Sequence, residues 1–445
     1  MFRRLFIANR GEVAARVART ARSMGIEVVA AVSDADRGSA WLADVDQVVA
    51  IGGPRPVESY LDADALIAAA VRTRCSAVHP GWGFLSENAA FAVRVEAAGL
   101  TFVGPTGRSM RLMGDKAEAR RTMGALGLPL IPGSTEPLDG PAAAQRVADR
   151  VGYPVLLKAV GGGGGRGMRV AEGPEQLVAA YTEASSEALS AFGDGRMYLE
   201  RRLTGCAHVE VQVLGDGRGS AIHLGERECS LQRRHQKVLE ESPSPGLTEA
   251  ERAHVLPLVA DAVGRAKYRN AGTVEMLRSA DGHLYFMEMN TRLQVEHAVT
   301  EAVTGIDLVA WQLRIAANEP LPDSPSRQGH AIECRINAED PDDNFRPCPG
   351  TVTRLSLPEG VGVRVDTHLR SGDRIPPQYD SMVAKIVCSG PDRPTALARM
   401  RAALAATQVH GVKTNIGLHQ RILNWSEFVD GRVDTGSLER WLGRT

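Results

Sequence analysis

The apolar positions of this chain first fall in short unbroken runs. Leu5-Phe-Ile-Ala8 carries no polar residue, which predicts a strand buried on both faces. Gly11 to Met24 reads as a helix, ended by Gly25, and Glu27 to Val32 reads as the next strand. Strand and helix signals keep alternating over the first ~110 residues, as in βαβ units that build a parallel sheet covered by helices. The turn after the first strand, Asn9-Arg10-Gly11-Glu12, lacks the glycine fingerprint of a dinucleotide site. A Rossmann-like shape here therefore carries no implication of NAD.

A second region opens near Lys116. Gly127-Leu-Pro-Leu-Ile-Pro-Gly133 is a connection. Pro154-Val-Leu-Leu-Lys158 and Met168-Arg-Val170 read as strands on either side of a loop at Gly161 to Gly165. Helices are predicted from Glu175 to Leu189 and around Ala250 to Lys267. Strand-like Gly272-Thr-Val-Glu275 and Leu284-Tyr-Phe-Met-Glu288 follow. From Gly329 onward the chain is rich in short strands and turns, and ends in helices near Thr395–Ala406 and Ile416–Asn424. The fold class is α/β.

The polar positions become unusual at Glu288-Met-Asn-Thr-Arg-Leu-Gln-Val-Glu296. In an extended segment successive side chains point to opposite faces, so Glu288, Asn290, Arg292, Gln294 and Glu296 share one surface. Met289, Leu293 and Val295 face away from it. A solvated strand face also alternates, but such faces favour Thr, Lys and Tyr, and Asn is depleted in strands. Two carboxylates and an amide around a guanidinium fit metal ligands beside an anion clamp better.

Composition narrows the class. At 445 residues, with 43% apolar and 24% charged residues, the chain suits about three globular domains. A net charge of −1 argues against nucleic acid as the main partner, since a phosphate backbone calls for a strongly basic field. The six cysteines form no Cys-x-x-Cys pair, so neither a zinc site nor a disulfide framework is indicated, and free thiols suit a reducing cytoplasm. Neither a signal peptide nor an apolar run long enough to span a membrane is present.

Three further clusters carry chemistry. The glycine run Gly161–Gly165, followed by Gly167, sits between two short strands and beside Lys158 and Arg166. A phosphate-covering hairpin is favoured over a linker, because glycine lets backbone N–H groups approach phosphate oxygens closely. It leads into a strand, so its Gly162-x-Gly164-x-x-Gly167 spacing fails as a dinucleotide motif, and no P-loop sequence occurs. Glu275, Glu288 and Asn290 form a plausible Mg²⁺ set. A carboxylate ~4 Å from a phosphate oxygen is repelled by about 4 kcal/mol at an effective dielectric of 20, so two glutamates facing a triphosphate require a divalent cation between them. In Ser230-Leu-Gln-Arg-Arg-His-Gln-Lys237, alternation puts Gln232 and Arg234 on one side and His235 and Lys237 on the other, where the latter two reach one anion together. Acidic neighbours at Glu226, Glu228, Glu240, Glu241, Glu249 and Glu251 argue against a nucleic-acid patch.

Together with Phe6–Glu12, His79-Pro-Gly-Trp-Gly-Phe-Leu-Ser-Glu-Asn88, Met113-Gly-Asp-Lys116, Glu333–Pro341, Tyr379-Asp-Ser-Met382 and Gly411–Asn415, these motifs make the chain resemble the biotin carboxylases. That family is the ATP-grasp component of biotin-dependent carboxylases, here of the acyl-CoA carboxylase alpha-subunit type. The resemblance covers nearly the whole chain. It implies a Rossmann-like N-terminal domain over 1–113, an ATP-grasp domain over 114–328 with a mobile lid at about 130–203, and a biotin carboxylase C-terminal domain over 329–445.

The implied reaction takes ATP, bicarbonate and biotin to ADP, phosphate and N-carboxybiotin through carboxyphosphate, as the first half-reaction of an acyl-CoA carboxylase of fatty acid biosynthesis. Carried over by motif, Lys116, Lys158, Gly164 and Gly165 hold ATP phosphates. Glu200 and Leu203 receive adenine, and His208, Gln232, His235 and Leu277 make other nucleotide contacts. Glu275, Glu288 and Asn290 match the ligands of Mg²⁺ or Mn²⁺. Lys237, Arg292, Gln294 and Val295 match the bicarbonate site, Glu296 the general base, and Arg335 the arginine that stabilises the biotin enolate. A guanidinium suits that last task because it does not titrate.

The implied partners are a biotin carboxyl carrier domain or protein and a carboxyltransferase subunit, with no nucleic acid and no membrane. No Met-Lys-Met sequence occurs, so biotin is expected to arrive on another polypeptide or on a further segment of the native chain. Two positions depart from the family pattern. Trp82 stands where many bacterial members have Tyr, and Val361 where stand-alone members often place an aromatic at the homodimer interface. The competing readings are another carboxylate-activating ATP-grasp ligase, and a regulatory subunit that keeps only the fold.

Overall fold

The computed structural model describes residues 1–161, 167–234 and 236–443. The N-terminal region is a five-stranded parallel sheet, ordered Gln47–Gly52, Glu27–Ser33, Arg4–Ile7, Ala77–His79, Thr101–Phe102. Leu5 and Ile7 enter one apolar layer with helix Gly11–Ser23, while Phe6 and Ala8 enter another with helices Ala63–Arg72 and Ala89–Ala97. Burial on both faces is the reason this strand reads as a continuous apolar run.

The largest element is an eight-stranded antiparallel sheet. Its order is Leu284–Asn290, Arg269–Arg278, Ala207–Asp216, Ala221–Glu228, Leu239–Ser242, His330–Asn337, Met382–Gly390, Val363–Thr367. The expected boundary at 328/329 falls inside this sheet, since Leu239–Ser242 pairs directly with His330–Asn337. Helix Glu249–Arg265, started by a Thr248–Glu251 capping box, packs on the first part. Helices Arg393–Ala406 and Ile416–Ile422 pack on the last.

Residues 141–201 form a small unit of their own. Its antiparallel sheet is ordered Met168–Ala171, Val155–Ala159, Met197–Arg201, with helices Pro141–Val151 and Pro174–Phe192 around a separate apolar core. Helix Pro174–Phe192 ends at Gly193, whose φ of 73° is the left-handed conformation that glycine adopts at no steric cost. Lys158 pairs with Met168, so the strands flanking the glycine run lie side by side. Gly162 to Arg166 themselves, with the expected phosphate contacts of Gly164 and Gly165, lie outside the described residues, as does His235.

Candidate active site

Three strands of the large sheet share one polar face. Along Ala207–Asp216, Val209, Val211 and Val213 enter the core, so His208, Glu210 and Gln212 face the other way. Across the sheet His208 lies opposite Leu277, Glu210 opposite Glu275, and Gln212 opposite Thr273. The next strand brings Glu288 opposite Glu275 and Asn290 opposite Thr273. A bulge near Glu275–Met276 lets Phe286 and Met289 both reach the core while Glu288 and Asn290 stay on the polar face.

The expected single extended face from Glu288 to Glu296 is not observed. The strand stops at Asn290, and the chain turns before helix His297–Thr304. The side chains converge all the same, because the loop folds back over the strand ends. Asn290 Nδ2 and Gln294 Nε2 both donate to Glu275 Oε1, at 2.8 and 3.3 Å. Arg292 donates to Gln294 Oε1 at 2.6 Å and to Asn290 Oδ1 at 3.2 Å, and its Nε reaches Glu87 at 2.9 Å. Leu293 and Val295 are buried, as the alternation implied.

Lys237 enters from a two-stranded hairpin, Gln232–Arg233 against Gln236–Lys237, turning at Arg234 with φ 47°. That geometry corrects the alternation argument. Gln232 pairs directly with Lys237 and shares its face, because a hairpin, not one extended strand, joins them. The Lys237 ammonium is bound by three carboxylates: Glu210 at 2.5 Å, Glu296 at 2.6 Å and Glu275 at 3.0 Å. Burial works against this charge, but the three carboxylates outweigh it and hold the ammonium well above its ordinary range.

Glu296 is wholly buried and divides its oxygens between two cations. Oε1 takes Lys237, and Oε2 takes Arg335 Nη2 at 3.0 Å. Burial raises this carboxyl, yet Lys237, Arg335 and Arg227 hold it well below the usual range. Arg335 also pairs with buried Glu240. There burial dominates, and Glu240 is pushed up to about 7. Arg227, fully buried, donates to Glu210, Gln212, Thr300 and Thr273 and so fixes the floor beneath Lys237.

A second group of cations lies where the small unit meets this face. Lys116 opens helix Lys116–Ala125, which Asp115 caps, and its Nζ reaches Glu288 Oε2 at 2.6 Å. Lys158 and Arg120 both pair with Glu200, which is almost wholly buried. Leu203, half-buried, follows strand Met197–Arg201. His208 Nε2 lies 3.2 Å from Glu275, whose charge outweighs burial and raises the imidazole.

Matches to three family models fit this arrangement. Biotin carboxylase, N-terminal domain matches residues 1–110; Carbamoyl-phosphate synthase L chain, ATP binding domain matches 115–324; and Biotin carboxylase C-terminal domain matches 333–440. The biotin carboxylase of Pseudomonas aeruginosa is 50% identical over 447 residues, covering 100% of this chain and 99% of that one. The chain belongs to the biotin carboxylase family. Membership makes it a ligase that carboxylates biotin at the expense of ATP.

Solved structures agree with that placement. A Hydrogenobacter thermophilus 2-oxoglutarate carboxylase biotin carboxylase domain dimer, in complex with MgADP, ADP and bicarbonate, superposes with a TM-score of 0.95 at 44% identity. It covers 100% of this chain and 98% of that one. A biotin carboxylase from Campylobacter jejuni, in a β-γ-ATP complex, gives 0.96 at 43% identity, with 99% of each chain covered.

Residue reasoning missed Glu210, Arg227 and Glu240. The alternation of His208, Glu210 and Gln212 with three valines carried the signal for the first. Arg227 and Glu240 are visible only once separate strands are brought together.

Proposed function

We propose that this polar face runs biotin carboxylation with ATP bound between Lys116, Lys158 and the small unit, and bicarbonate bound over Lys237 and Arg292. The observation that carries this reading is the Glu296 carboxylate held between Lys237 and Arg335, beside the Arg292–Gln294 pair. Lys237 and Arg292 supply two fixed cations for a small anion, Arg292 through a planar donor pair suited to its oxygens. An anion arriving there competes with Glu296 for Lys237. It thereby lifts the depression of the Glu296 carboxyl, so the base strengthens only when its substrate is present. Deprotonated bicarbonate then attacks the γ-phosphate and displaces ADP; carboxyphosphate breaks into CO₂ and phosphate, the phosphate takes the proton of the biotin nitrogen, and that nitrogen bonds to CO₂. Arg335 holds the negative charge that develops on the ureido oxygen.

Glu275, Glu288 and Asn290 place hard oxygen atoms at neighbouring strand positions, a donor set that fits Mg²⁺. Glu275 Oε1 already takes Lys237, Asn290 and Gln294 and Oε2 faces His208, so a metal beside Glu288 would share Glu275 with these groups. When bound there, the ion would neutralise phosphate charge next to Lys116. We assign adenine to the neighbourhood of Glu200, Leu203, His208 and Leu277. Residues 130–203 we assign as the lid, on their separate core.

Biotin would come on a carboxyl carrier and leave to a carboxyltransferase subunit, in a cytoplasmic homodimer. Among the described residues no helix is long and apolar enough to cross a membrane. Val361 is 84% exposed and open to a second subunit, while Trp82 packs against the N-terminal core. The test is ADP release with Mg²⁺ and ATP, with and without bicarbonate and free biotin. Release stimulated by both supports the assignment. Stimulation by an amine and not by biotin would transfer the site to another ATP-grasp ligase.

A further inference from the structure

Lys385 is fully buried on the eight-stranded sheet, remote from any residue assigned above to ATP. Its strand belongs to the C-terminal region. Its ammonium nevertheless reaches both other parts of the chain. Nζ donates to the backbone oxygen of Val295 at 2.8 Å and lies 3.2 Å from Glu12 Oε1, at the start of the first helix. Glu12 is 99% buried side chain, with no hydrogen-bond partner at either oxygen. Asp366 sits directly across from Lys385 on the neighbouring strand, with Arg364 two residues before it. Arg335 is across on the other side, and Glu333 two residues before that.

The loop that Lys385 holds is the Gln294–Glu296 turn. Val295 contributes its backbone there, and Glu296 follows at once. A full positive charge on a carbonyl oxygen makes one of the stronger single hydrogen bonds available in a protein interior. Among the described residues no other donor reaches the Val295 oxygen, whereas Glu87 anchors the loop's first half at Thr291 and Arg292. Burial opposes the Lys385 charge, but Glu12, Glu333 and Asp366 keep it protonated.

We propose that Lys385 is a positioning residue for the bicarbonate site, fixing the Val295–Glu296 turn from beneath while Glu12 balances its charge. The inference rests on the assignment of that turn to bicarbonate.

The experiment compares the parent with three variants, Glu12→Gln, Lys385→Met and the two combined, by bicarbonate-dependent ADP release and by thermal unfolding. Glu12→Gln removes the counter-charge and keeps the donor to Val295. The double variant Glu12→Gln/Lys385→Met removes both charges of that pair, and Asp366 keeps its pairing with Arg364 and Arg19. Glu12→Gln should bind bicarbonate with a KM within about twofold of the parent, since the hydrogen bond survives. The double variant should regain stability relative to Lys385→Met alone, yet show a bicarbonate KM raised about tenfold or more, with the KM for ATP little changed. A double variant with normal bicarbonate KM overturns the proposal and makes Lys385 structural only. So does a Glu12→Gln protein whose bicarbonate KM rises as far, a measurement that stands even if the methionine variants do not fold. A rise in the KM for ATP with that for bicarbonate unmoved would instead overturn the assignment of the turn.

Discussion

Replacing Glu240 with Gln should make the protein more stable as pH rises. Glu240 is wholly buried, pairs among the described residues with Arg335 alone, and has a second buried carboxyl, Glu333, as its cross-strand neighbour. Glu296 and Lys237 also act on it, and Lys385 acts on Glu333. Burial outweighs Arg335 and pushes the Glu240 carboxyl from 4.5 to about 7. An acid raised on folding favours the folded state fully below its unfolded value, and that advantage is lost as pH climbs through the folded one. From pH 5.5 to 7 the loss is 1.36 kcal/mol per pH step, about 2 kcal/mol in all.

Glutamine has no proton to lose and can still accept from Arg335. The variant should therefore gain on the parent by about 2 kcal/mol between pH 5.5 and 8, or about 4–8 °C in Tm at 2–4 °C per kcal/mol. Differential scanning of both proteins across that range, without nucleotide, gives the comparison. An offset that does not change with pH, or a variant that falls further behind as pH rises, would refute the reasoning. It would mean that Glu240 folds as an anion fully stabilised by Arg335.

Glu288→Gln should keep the fold and lose turnover, because an amide binds Mg²⁺ much less well than a carboxylate; near-normal activity at low millimolar Mg²⁺ would remove Glu288 from the metal. Arg292→Ala should lower bicarbonate-dependent ATP cleavage and biotin carboxylation together, while Arg335→Ala should cost carboxylation ~10²–10³ and spare slow biotin-independent cleavage. Equal losses of both activities in Arg335→Ala would move Arg335 into the bicarbonate clamp. Residues 130–203 should gain amide protection when ATP is added, and identical exchange with and without it would argue against a closing lid.

The parts of the molecule legible in sequence are those where a local period settles the environment. Leu5–Ala8 is apolar throughout because both of its faces are covered, and helices 174–192 and 249–265 lie within three residues of the spans 175–189 and 250–267 read from the sequence. The alternation from Glu288 named five residues that do converge, although a loop and not a strand brings the last three in. A two-residue period cannot reveal where a strand ends, and the same limit misplaced Gln232 relative to Lys237. Arg227, Glu240 and Lys385 were invisible for a different reason. Each is ordinary in its own segment and acquires meaning from a partner on another strand.

The pairing of Leu239–Ser242 with His330–Asn337 has a consequence for anyone dividing this chain. A fragment cut at residue 328 would bare the backbone donors and acceptors of both strands. Such a raw edge invites pairing with any other open strand in solution. The stretches before and after residue 328 are thus sewn together along a seam of main-chain hydrogen bonds. Chimeras that exchange one half for a relative's would have to preserve that seam's register. Joins are better placed outside the sheet, where the chain crosses from one layer to another.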